Sequence, residues 1–405
     1  MKTNMVGLKK PRRPEGSGSR PKASEKKIIS RVDSLSRRPA KKVLKKDKVF
    51  DLKKPKRKTG PKPRKTFHAS LKRAQNNPII EPRRYPFESK ATLNPSAVIA
   101  HDKIHLIYRA IGDSDSSVLG YASSYDGFHI AERLSYPVYK RPSHAVKPDL
   151  SVPSIGYISG GGWNGGCEDP RLTLLGDRVY MLYTAFDGWG SVRIALTSIP
   201  LAEMERKNWS WRSPVLISPP GEIHKNWVMF PEKINGKFAI LHSFYPTVRI
   251  DYFDSLSELD GVTRFIKSDN TRPVDPTRGW DSWFRGVGPS PIRTDLGWLI
   301  LYHAMDHRNP DRYRIGALIL DLDEPTRVLY RTPEPILEPE EYYENNGYKW
   351  GVVYSCGAVV RDGTLFVYYG GADKVIGVAT IKLEDLLADL KKHKVVKLKK
   401  QAMRK

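Results

Sequence analysis

The chain has 405 residues and a formal net charge of +25 at neutral pH. No apolar stretch approaches the roughly 20 residues that a membrane-spanning helix needs, and the N-terminus lacks the apolar core of a signal peptide. The sequence therefore predicts a cytoplasmic protein. Its two cysteines, Cys167 and Cys356, provide neither a disulfide framework nor a zinc-binding spacing, and we interpret both as buried thiols without a catalytic role.

The positive charge is concentrated in an N-terminal tail. Residues 1–75 contain 27 Lys or Arg against 5 Asp or Glu, which leaves only +3 for the rest of the chain. With few aromatic residues and little periodicity, this segment cannot bury enough apolar surface to offset its ordering entropy, so we expect disorder. Two interpretations stay open: electrostatic attachment to a polyanion, such as nucleic acid or an anionic surface, and a solubilising extension.

After the tail, one β-like pattern recurs five times. Short apolar runs end in an aromatic or histidine followed by a small or polar residue: IHLIYRA, VYMLYTA, FAILHSF, WLILYHA and LFVYYGG. The equivalent positions, Tyr108, Tyr183, His242, Tyr302 and Tyr369, are separated by 75, 59, 60 and 67 residues. Each run precedes a second strand-like run, so each unit contains at least a hairpin.

This recurrence predicts an all-β fold, a five-bladed β-propeller built from residues 76–390 as a single domain. A β-sandwich is the alternative, but it does not explain why the same pattern returns five times. The segment LEDLLADLKKHKVVKLKK has apolar residues at helical spacing and cations toward its end, and it predicts a short amphipathic C-terminal helix. Residues 391–405 are predicted to form a basic C-terminal extension.

Polar residues collect at the ends of the predicted strands, where a propeller presents its central site. The most charged of these segments is Gly166-Cys167-Glu168-Asp169-Pro170-Arg171. Because adjacent strand residues point to opposite faces, we expect one carboxylate to face the propeller axis and the other to pair with Arg171 or with the backbone. A turn with a structural ion pair is the alternative for this segment alone.

Several segments in order resemble glycoside hydrolase family 130, the mannoside phosphorylases and related β-mannosidases. The similarity extends from about residue 77 to about residue 387 and depends on the following motifs: NPS, YRA, LGYASSYDGFHI, CEDPRLTLLGDRVYMLYTA, FPEKINGKFAILH, GVGPSPIRTDLGWLILYHAMD and CGAVVRDGTLFVYYGGAD. The resemblance implies a five-bladed β-propeller.

The resemblance also implies a reaction, the inverting phosphorolysis of β-linked manno-oligosaccharides to α-mannose 1-phosphate. It makes Asp169 the proton donor, because the glycosidic oxygen must be protonated as its bond to the sugar breaks. Inorganic phosphate is then the co-substrate and nucleophile, and no metal or other cofactor is expected. Phosphate requires cations. The predicted phosphate-binding residues are Arg193, Lys225 and His303.

The remaining predicted site residues bind the sugar. The resemblance places Arg109, Asp306 and Asp373 against sugar hydroxyl groups. The full predicted set of substrate-binding residues is Asn94, Arg109, Glu168, Arg171, Glu232, Arg285, Tyr302, Asp306 and Asp373.

The chain departs from the family pattern in one place. Phosphorylases of the family commonly continue the third-repeat strand with His-Arg, whereas this chain has His242-Ser243. With weaker phosphate binding the reaction becomes hydrolysis, with Glu232 as the base that activates water. A non-catalytic propeller that binds carbohydrate or a polyanion is a further alternative, and a homo-oligomer is compatible with the sequence.

Overall fold

The computed structural model describes residues 66–141, 165–187, 192–268 and 273–395. These residues form four open β-sheets, and helices contribute little to them. The predicted all-β class is therefore confirmed. The ten strand-like runs all form strands, and each predicted hairpin pairs in antiparallel register.

The first two groups of strands share an eight-stranded sheet. A single parallel pair between Ser117 and Gly166 joins them. The first group contains β2 (Ala91–Ala100), β3 (Lys103–Ile111), β4 (Ser117–Ser124) and β5 (Glu132–Arg133).

 The strand β1 itself (Lys72–Arg73) precedes this group in the chain, but it pairs with the last sheet and not with this one.

The second group continues the same sheet in antiparallel order. Its members are β6 (Gly166–Leu175), β7 (Arg178–Phe186), β8 (Val192–Pro200) and β9 (Val215–Leu216), and the short helix α1 (Leu201–Glu205) follows β8. The central strands are buried along nearly their whole length. Their alternating side chains therefore fill two packing faces, rather than one core face and one solvent face.

The third and fourth groups form separate sheets. The three-stranded sheet contains β10 (Val228–Met229), β11 (Phe238–Ser243) and β12 (Arg249–Phe253), followed by a 3-10 turn (Leu256–Glu258). The five-stranded sheet contains β13 (Trp283–Val287), β14 (Ile292–Thr294), β15 (Gly297–Asp306), β16 (Asn309–Leu320) and β17 (Val328–Arg331).

The fifth group joins the two ends of the folded part. The helix α2 (Tyr342–Asn345) precedes β18 (Val353–Arg361), β19 (Thr364–Gly371) and β20 (Val375–Lys382), and β1 pairs with the outer edge of β20. The predicted C-terminal helix is α3 (Leu383–Leu390), which buries Leu386 and Leu390.

The folded part begins before the predicted boundary at residue 76. Ala69 and Leu71 are buried, and Asp389 on α3 accepts hydrogen bonds from the backbone N–H groups of His68 (2.6 Å) and Ala69 (2.8 Å). At the other end, the backbone of Lys394 pairs with β17. Residues 66–75 therefore belong to the fold and not to the tail, because they contribute core side chains and a strand.

Neighbouring groups pack face to face around a cycle. Apolar clusters join the first group to the second, the second to the third, the third to the fourth, the fourth to the fifth and the fifth to the first. The strands β2, β6, β13 and β18 each carry a break in register. Such bulges re-aim side chains, and here they supply the polar residues described below.

The prediction for the basic tail falls on residues 1–65, which lie outside the described residues. No helix in the described part of the chain is long and apolar enough to cross a membrane. The cytoplasmic location and the homo-oligomer stay predictions. Cys167 and Cys356 are both buried and unbridged, and burial raises the pKa of each thiol to about 12.

Candidate functional site

Two bulges, one in β2 and one in β6, each contain an Xaa-Pro pair and bring an amide and a carboxylate together. Asn94 on β2 and Asp169 on β6 each precede a proline, and their φ angles are 48° and 50°. This left-handed conformation is uncommon for residues other than glycine and is most easily adopted by Asn and Asp. The Asn94 Nδ2 group donates a 2.7 Å hydrogen bond to Asp169 Oδ1, so the two bulges converge on one buried site.

Both carboxylates of the Glu168-Asp169 pair face the same two cations. Arg109 lies 3.1 Å from Glu168 Oε1 and 3.6 Å from Asp169 Oδ1, and Lys225 Nζ lies 2.8 Å from Glu168 Oε2 and 3.9 Å from Asp169 Oδ2. The prediction that the two carboxylates point to opposite faces, with one of them paired to Arg171 or to the backbone, is therefore wrong. It failed because the bulge interrupts strand alternation at Asp169.

The environment of Asp169 keeps its carboxylate ionised. Burial alone would raise the pKa, but the charges of Lys225 and Arg109 and the hydrogen bond from Asn94 outweigh burial, so the pKa of Asp169 is lowered. We call Asn94, Arg109, Glu168, Asp169 and Lys225 the Asp169 cluster. The side chains of Lys225 and Asp169 are 12% and 6% exposed, against 1% for Arg109 and 0% for Glu168, so Lys225 and Asp169 lie at its more accessible edge.

Asp373 lies beside the cluster and has the opposite titration behaviour. Burial raises its pKa, and the negative charge of Asp169 adds to this effect, while Lys349, Arg109 and Lys225 partly oppose it. Asp373 is therefore close enough to sense the charges of the cluster. Two nearby carboxyl groups with pKa values shifted in opposite directions are typical of sites that handle protons.

The buried side chain of Arg171 connects neighbouring strands next to the site. Its guanidinium donates to the carbonyl oxygens of Val287 and Gly288, to Asn226 Oδ1 (2.8 Å) and to the Tyr354 hydroxyl (3.2 Å). It thereby ties β6 to β13 and β18. The prediction that Arg171 contacts substrate is not supported by this geometry, because these partners engage the side chain within a fully buried setting.

His303 is fully buried, and its imidazole ring is neutral near pH 7. Its Nε2 accepts a 2.9 Å hydrogen bond from the backbone N–H of Ser355, and the ring stacks on Tyr354 with centroids 3.9 Å apart. Burial, followed by the charge of Arg171, lowers the pKa of His303 to about 3. Because Nε2 accepts, the proton of the neutral ring is on Nδ1, which has no hydrogen-bond partner among the described residues. The role of His303 in phosphate binding stays a prediction.

Arg193 is also turned away from the cluster. Its guanidinium donates to the backbone carbonyls of Ser218 (2.8 Å from Nε) and Leu216 (3.2 Å from Nη2). Burial, assisted by Arg141, lowers its pKa to about 10, so it stays positively charged at neutral pH. In the described part of the chain it makes no contact with the Asp169 cluster, and its predicted role in phosphate binding stays a prediction.

Two predicted sugar ligands have other partners. Tyr302 is fully buried among aromatic rings, and its hydroxyl donates to Asp281 Oδ2 at 3.0 Å. Asp306 forms an ion pair with Arg308 (2.7 Å), whose hydrogen bonds lower the pKa of the carboxyl to about 2. Tyr302 is thus part of the core, which corrects its assignment as a substrate contact, and the role of Asp306 stays a prediction.

Glu232 lies in an exposed ion pair. Its Oε1 is 2.5 Å from Arg293, and the two side chains are 43% and 60% exposed. Within the described residues it has no contact with the Asp169 cluster. The prediction that Glu232 is a substrate ligand, and the base in a hydrolytic reaction, is therefore not supported by its position.

Arg285 occupies the rim next to the cluster. It donates from Nε to the Tyr313 hydroxyl (3.0 Å) and stacks over Trp283 at 4.4 Å, while its backbone carbonyl accepts a 2.7 Å bond from Asn226. It remains half-buried, which suits its predicted contact with substrate.

The sequence analysis did not single out four residues that build the site, namely Asn226, Tyr313, Lys349 and Tyr354. Asn226 follows Lys225 and has a φ of 68°, and its amide bridges Arg285 and Arg171. An asparagine beside a candidate cation was the available signal, since Asn tolerates this conformation. Tyr354 and Lys349 carried no comparable signal in the sequence.

Comparison with known proteins gives a consistent result. Glycoside hydrolase family 130, described as β-1,4-mannooligosaccharide phosphorylase, matches residues 56–392. A 1,2-β-oligomannan phosphorylase of Thermoanaerobacter sp. (strain X514) is 38% identical over 327 residues, covering 78% of this chain and 98% of the relative. A β-1,2-mannobiose phosphorylase of the same organism is 36% identical over 317 residues, covering 78% of this chain and 98% of the relative.

Solved structures agree with the sequence matches. A β-1,2-mannobiose phosphorylase from Listeria innocua, in complex with β-1,2-mannobiose, has a TM-score of 0.59 and 26% identity, and the match covers 79% of this chain and 99% of that one. The family match extends over most of the chain, and the relatives are covered almost completely. The chain therefore belongs to glycoside hydrolase family 130, as the motifs of its sequence had indicated.

Proposed function

We propose that the chain is an inverting β-mannoside phosphorylase. Its substrates are β-linked manno-oligosaccharides and inorganic phosphate, and its products are α-mannose 1-phosphate and the shortened oligosaccharide. The relatives that are 36–38% identical are named for β-1,2-linked substrates, whereas one that is 28% identical is named for a β-1,4-linked substrate. These identities favour the β-1,2 linkage.

The observation that carries the proposal is the Asp169 cluster. A nearly buried carboxylate lies beside two cations, at the point where the family has its proton donor. As the bond between the sugar carbon and the glycosidic oxygen breaks, its electron pair stays on that oxygen, which takes a proton that originates from Asp169. A phosphate oxygen forms the new bond on the opposite face, so the β-mannoside becomes an α-phosphate.

Phosphate binding would also prepare Asp169 to donate its proton. In the structure, Lys225 contributes the largest of the effects that lower the pKa of Asp169. A phosphate anion beside Lys225 would offset that positive charge and raise the pKa of the carboxyl. The co-substrate thus favours the protonated donor, and the enzyme keeps Asp169 ionised until phosphate arrives.

The same proposal includes the closed five-bladed propeller. The five strand groups pack on one another in cyclic order, and the fifth group contacts the first. This order supports closure around a central axis. It also explains why the inner strands β2, β6 and β13 contribute polar residues to one region.

Hydrolysis is the second candidate, and the observation that favours it is Ser243. The side chain of Ser243 donates to the carbonyl of Thr247 and supplies no charge where phosphorylases of the family commonly have arginine. However, Glu232 forms an exposed ion pair with Arg293, and this position does not support its role as the base that activates water. The geometry of Lys225 and Asp169 therefore favours phosphorolysis.

The proposal is tested by product analysis with β-1,2- and β-1,4-linked mannobiose, with and without inorganic phosphate. Asp169→Asn should abolish product formation, while Asp254→Asn, at a carboxylate that is 79% exposed, should not. Phosphate-dependent formation of mannose 1-phosphate supports the proposal. Free mannose at the same rate with and without phosphate would contradict it.

A further inference from the structure

A pocket that is separate from the Asp169 cluster opens between the first and second strand groups. Its volume is about 340 Å³, and no residue of the Asp169 cluster lines it. The lining residues are Pro137, Val138, Tyr139, Lys140, Trp209, Trp211, Arg212, Ser213 and Pro214. This volume lies at the lower end of the range of about 300 to 1,000 Å³ that is typical of small-molecule sites.

The aromatic walls of this pocket are held in place by the core. Trp209 packs against Tyr121 with ring centroids 5.1 Å apart, and Trp211 packs edge-on against Tyr139 at 5.7 Å. The Trp211 indole N–H donates to the carbonyl of Val138 at 3.2 Å. Both indoles are only half-buried, so they are fixed on one side and accessible on the other.

The floor of the pocket is equally rigid. Tyr139 is buried, and its hydroxyl lies 2.9 Å from the hydroxyl of Tyr183 on β7. A preformed pocket with fixed aromatic walls loses little conformational entropy when a ring enters it. The pocket is therefore suited to a ligand that contains a ring.

The charged side chains that line the pocket are both cations. Lys140, Arg212 and Ser213 are exposed at its edge, and no carboxylate or side-chain amide belongs to the described residues that line it. Sites for neutral sugars need acceptors as well as donors, because each sugar hydroxyl group offers both. Two cations without a carboxylate instead favour a ligand that carries negative charge.

We propose that this pocket binds a sugar phosphate, with the sugar ring against Trp209 and Trp211 and the phosphate between Lys140 and Arg212. The ring-stacking walls and the paired cations each match one half of such a ligand. The choice of α-mannose 1-phosphate as the probe rests on the proposed function, since this compound is its expected product. The charge and ring arguments do not depend on that function.

The test is fluorine NMR of the protein labelled with fluorotryptophan. Trp209→Phe and Trp211→Phe assign the two resonances, which report on the pocket whether or not the catalytic site is occupied. We expect α-mannose 1-phosphate to shift both resonances saturably. The double variant Lys140→Ala/Arg212→Ala should bind about tenfold or more weakly at these resonances, because two charged contacts are lost.

A charge-matched control separates local from general effects. Lys237→Ala/Lys382→Ala removes two exposed cations outside the pocket and should leave the titration unchanged. The proposal is overturned if neutral mannose, β-1,2-mannobiose or inorganic phosphate alone produces the same shifts at the same concentrations. It is also overturned if adenosine monophosphate binds more tightly, or if neither resonance responds to the sugar phosphate.

The result can be read independently of catalysis. If the chain forms no mannose 1-phosphate but the two resonances shift as expected, the proposed function fails and the pocket stands. If phosphorolysis occurs and the resonances do not respond, only the pocket proposal fails.

Discussion

Replacing Lys225 with methionine tests how the enzyme links phosphate to the proton donor. The ammonium group lies 2.8 Å from Glu168 and 3.9 Å from Asp169, and its side chain is 12% exposed. Methionine keeps much of the unbranched apolar stem of lysine and removes the charge. Lys225→Met therefore removes one cation from two carboxylates while preserving most of the packing.

The size of the effect follows from the contacts that are lost. A hydrogen bond to a charged group contributes about 1.5–3 kcal/mol. If Lys225 makes one such contact with phosphate, the KM for phosphate should rise about 10- to 150-fold. Loss of the contact with the fully buried Glu168 should lower the free energy of unfolding by a similar amount, about 1.5–3 kcal/mol.

The pH dependence supplies a second readout. Removing Lys225 raises the pKa of Asp169, so the pH above which the donor loses its proton, and the rate declines, should move upward. The stability of the fold depends on the same pKa. A lowered pKa stabilises the fold above the unfolded-state pKa, and this contribution is lost as pH falls through the folded-state pKa. In Lys225→Met this contribution should be smaller, and its loss should be complete at a higher pH than in the wild type.

The assay is the initial rate of mannose 1-phosphate release from β-1,2-mannobiose at varied phosphate concentration and pH. Lys237→Met is the matched control, because Lys237 is 45% exposed and pairs with Asp254 at the surface. A folded Lys225→Met protein whose KM for phosphate stays within about twofold of the wild type would refute the assignment of Lys225 to phosphate.

Three further substitutions test the remaining roles. Asn94→Ala removes the 2.7 Å hydrogen bond to Asp169 and should lower kcat about tenfold or more, with the alkaline limb of the pH–rate profile moved upward; an unchanged kcat would exclude a positioning role. Glu232→Gln should leave the rate within about twofold and change the free energy of unfolding by less than about 1 kcal/mol, as expected for an exposed ion pair, whereas loss of activity would restore Glu232 as a base. Arg171→Met should lower the free energy of unfolding in urea by about 3–5 kcal/mol, because it leaves several buried acceptors without a donor. A change below about 1 kcal/mol would contradict the structural role of Arg171.

The strands were predictable because their signal is local. The runs around Tyr108 and Tyr369 are apolar, rich in β-branched and aromatic residues and followed by turns, and both form central strands. The boundary at residue 75 was not predictable from composition. Leu71 lies in a basic stretch, and its burial depends on a sheet edge and a helix that come from the other end of the chain.

The candidate site was predictable in its residue types but not in its geometry. The EDPR segment indicated a charged site, yet strand alternation gave the wrong orientation for Glu168, because the bulge at Asp169 depends on a left-handed φ. His303 and Glu232 have suitable chemistry, but burial makes the first neutral and exposure leaves the second in a surface pair. These outcomes are set by contacts between strand groups, which a single sequence does not display.

The most direct test of the central claim is to follow β-1,2-mannobiose and inorganic phosphate by phosphorus and proton NMR in the presence of the enzyme. The account predicts α-mannose 1-phosphate as the first product, formed only with phosphate and absent with Asp169→Asn. Free mannose as the first product, at a rate independent of phosphate, would contradict it.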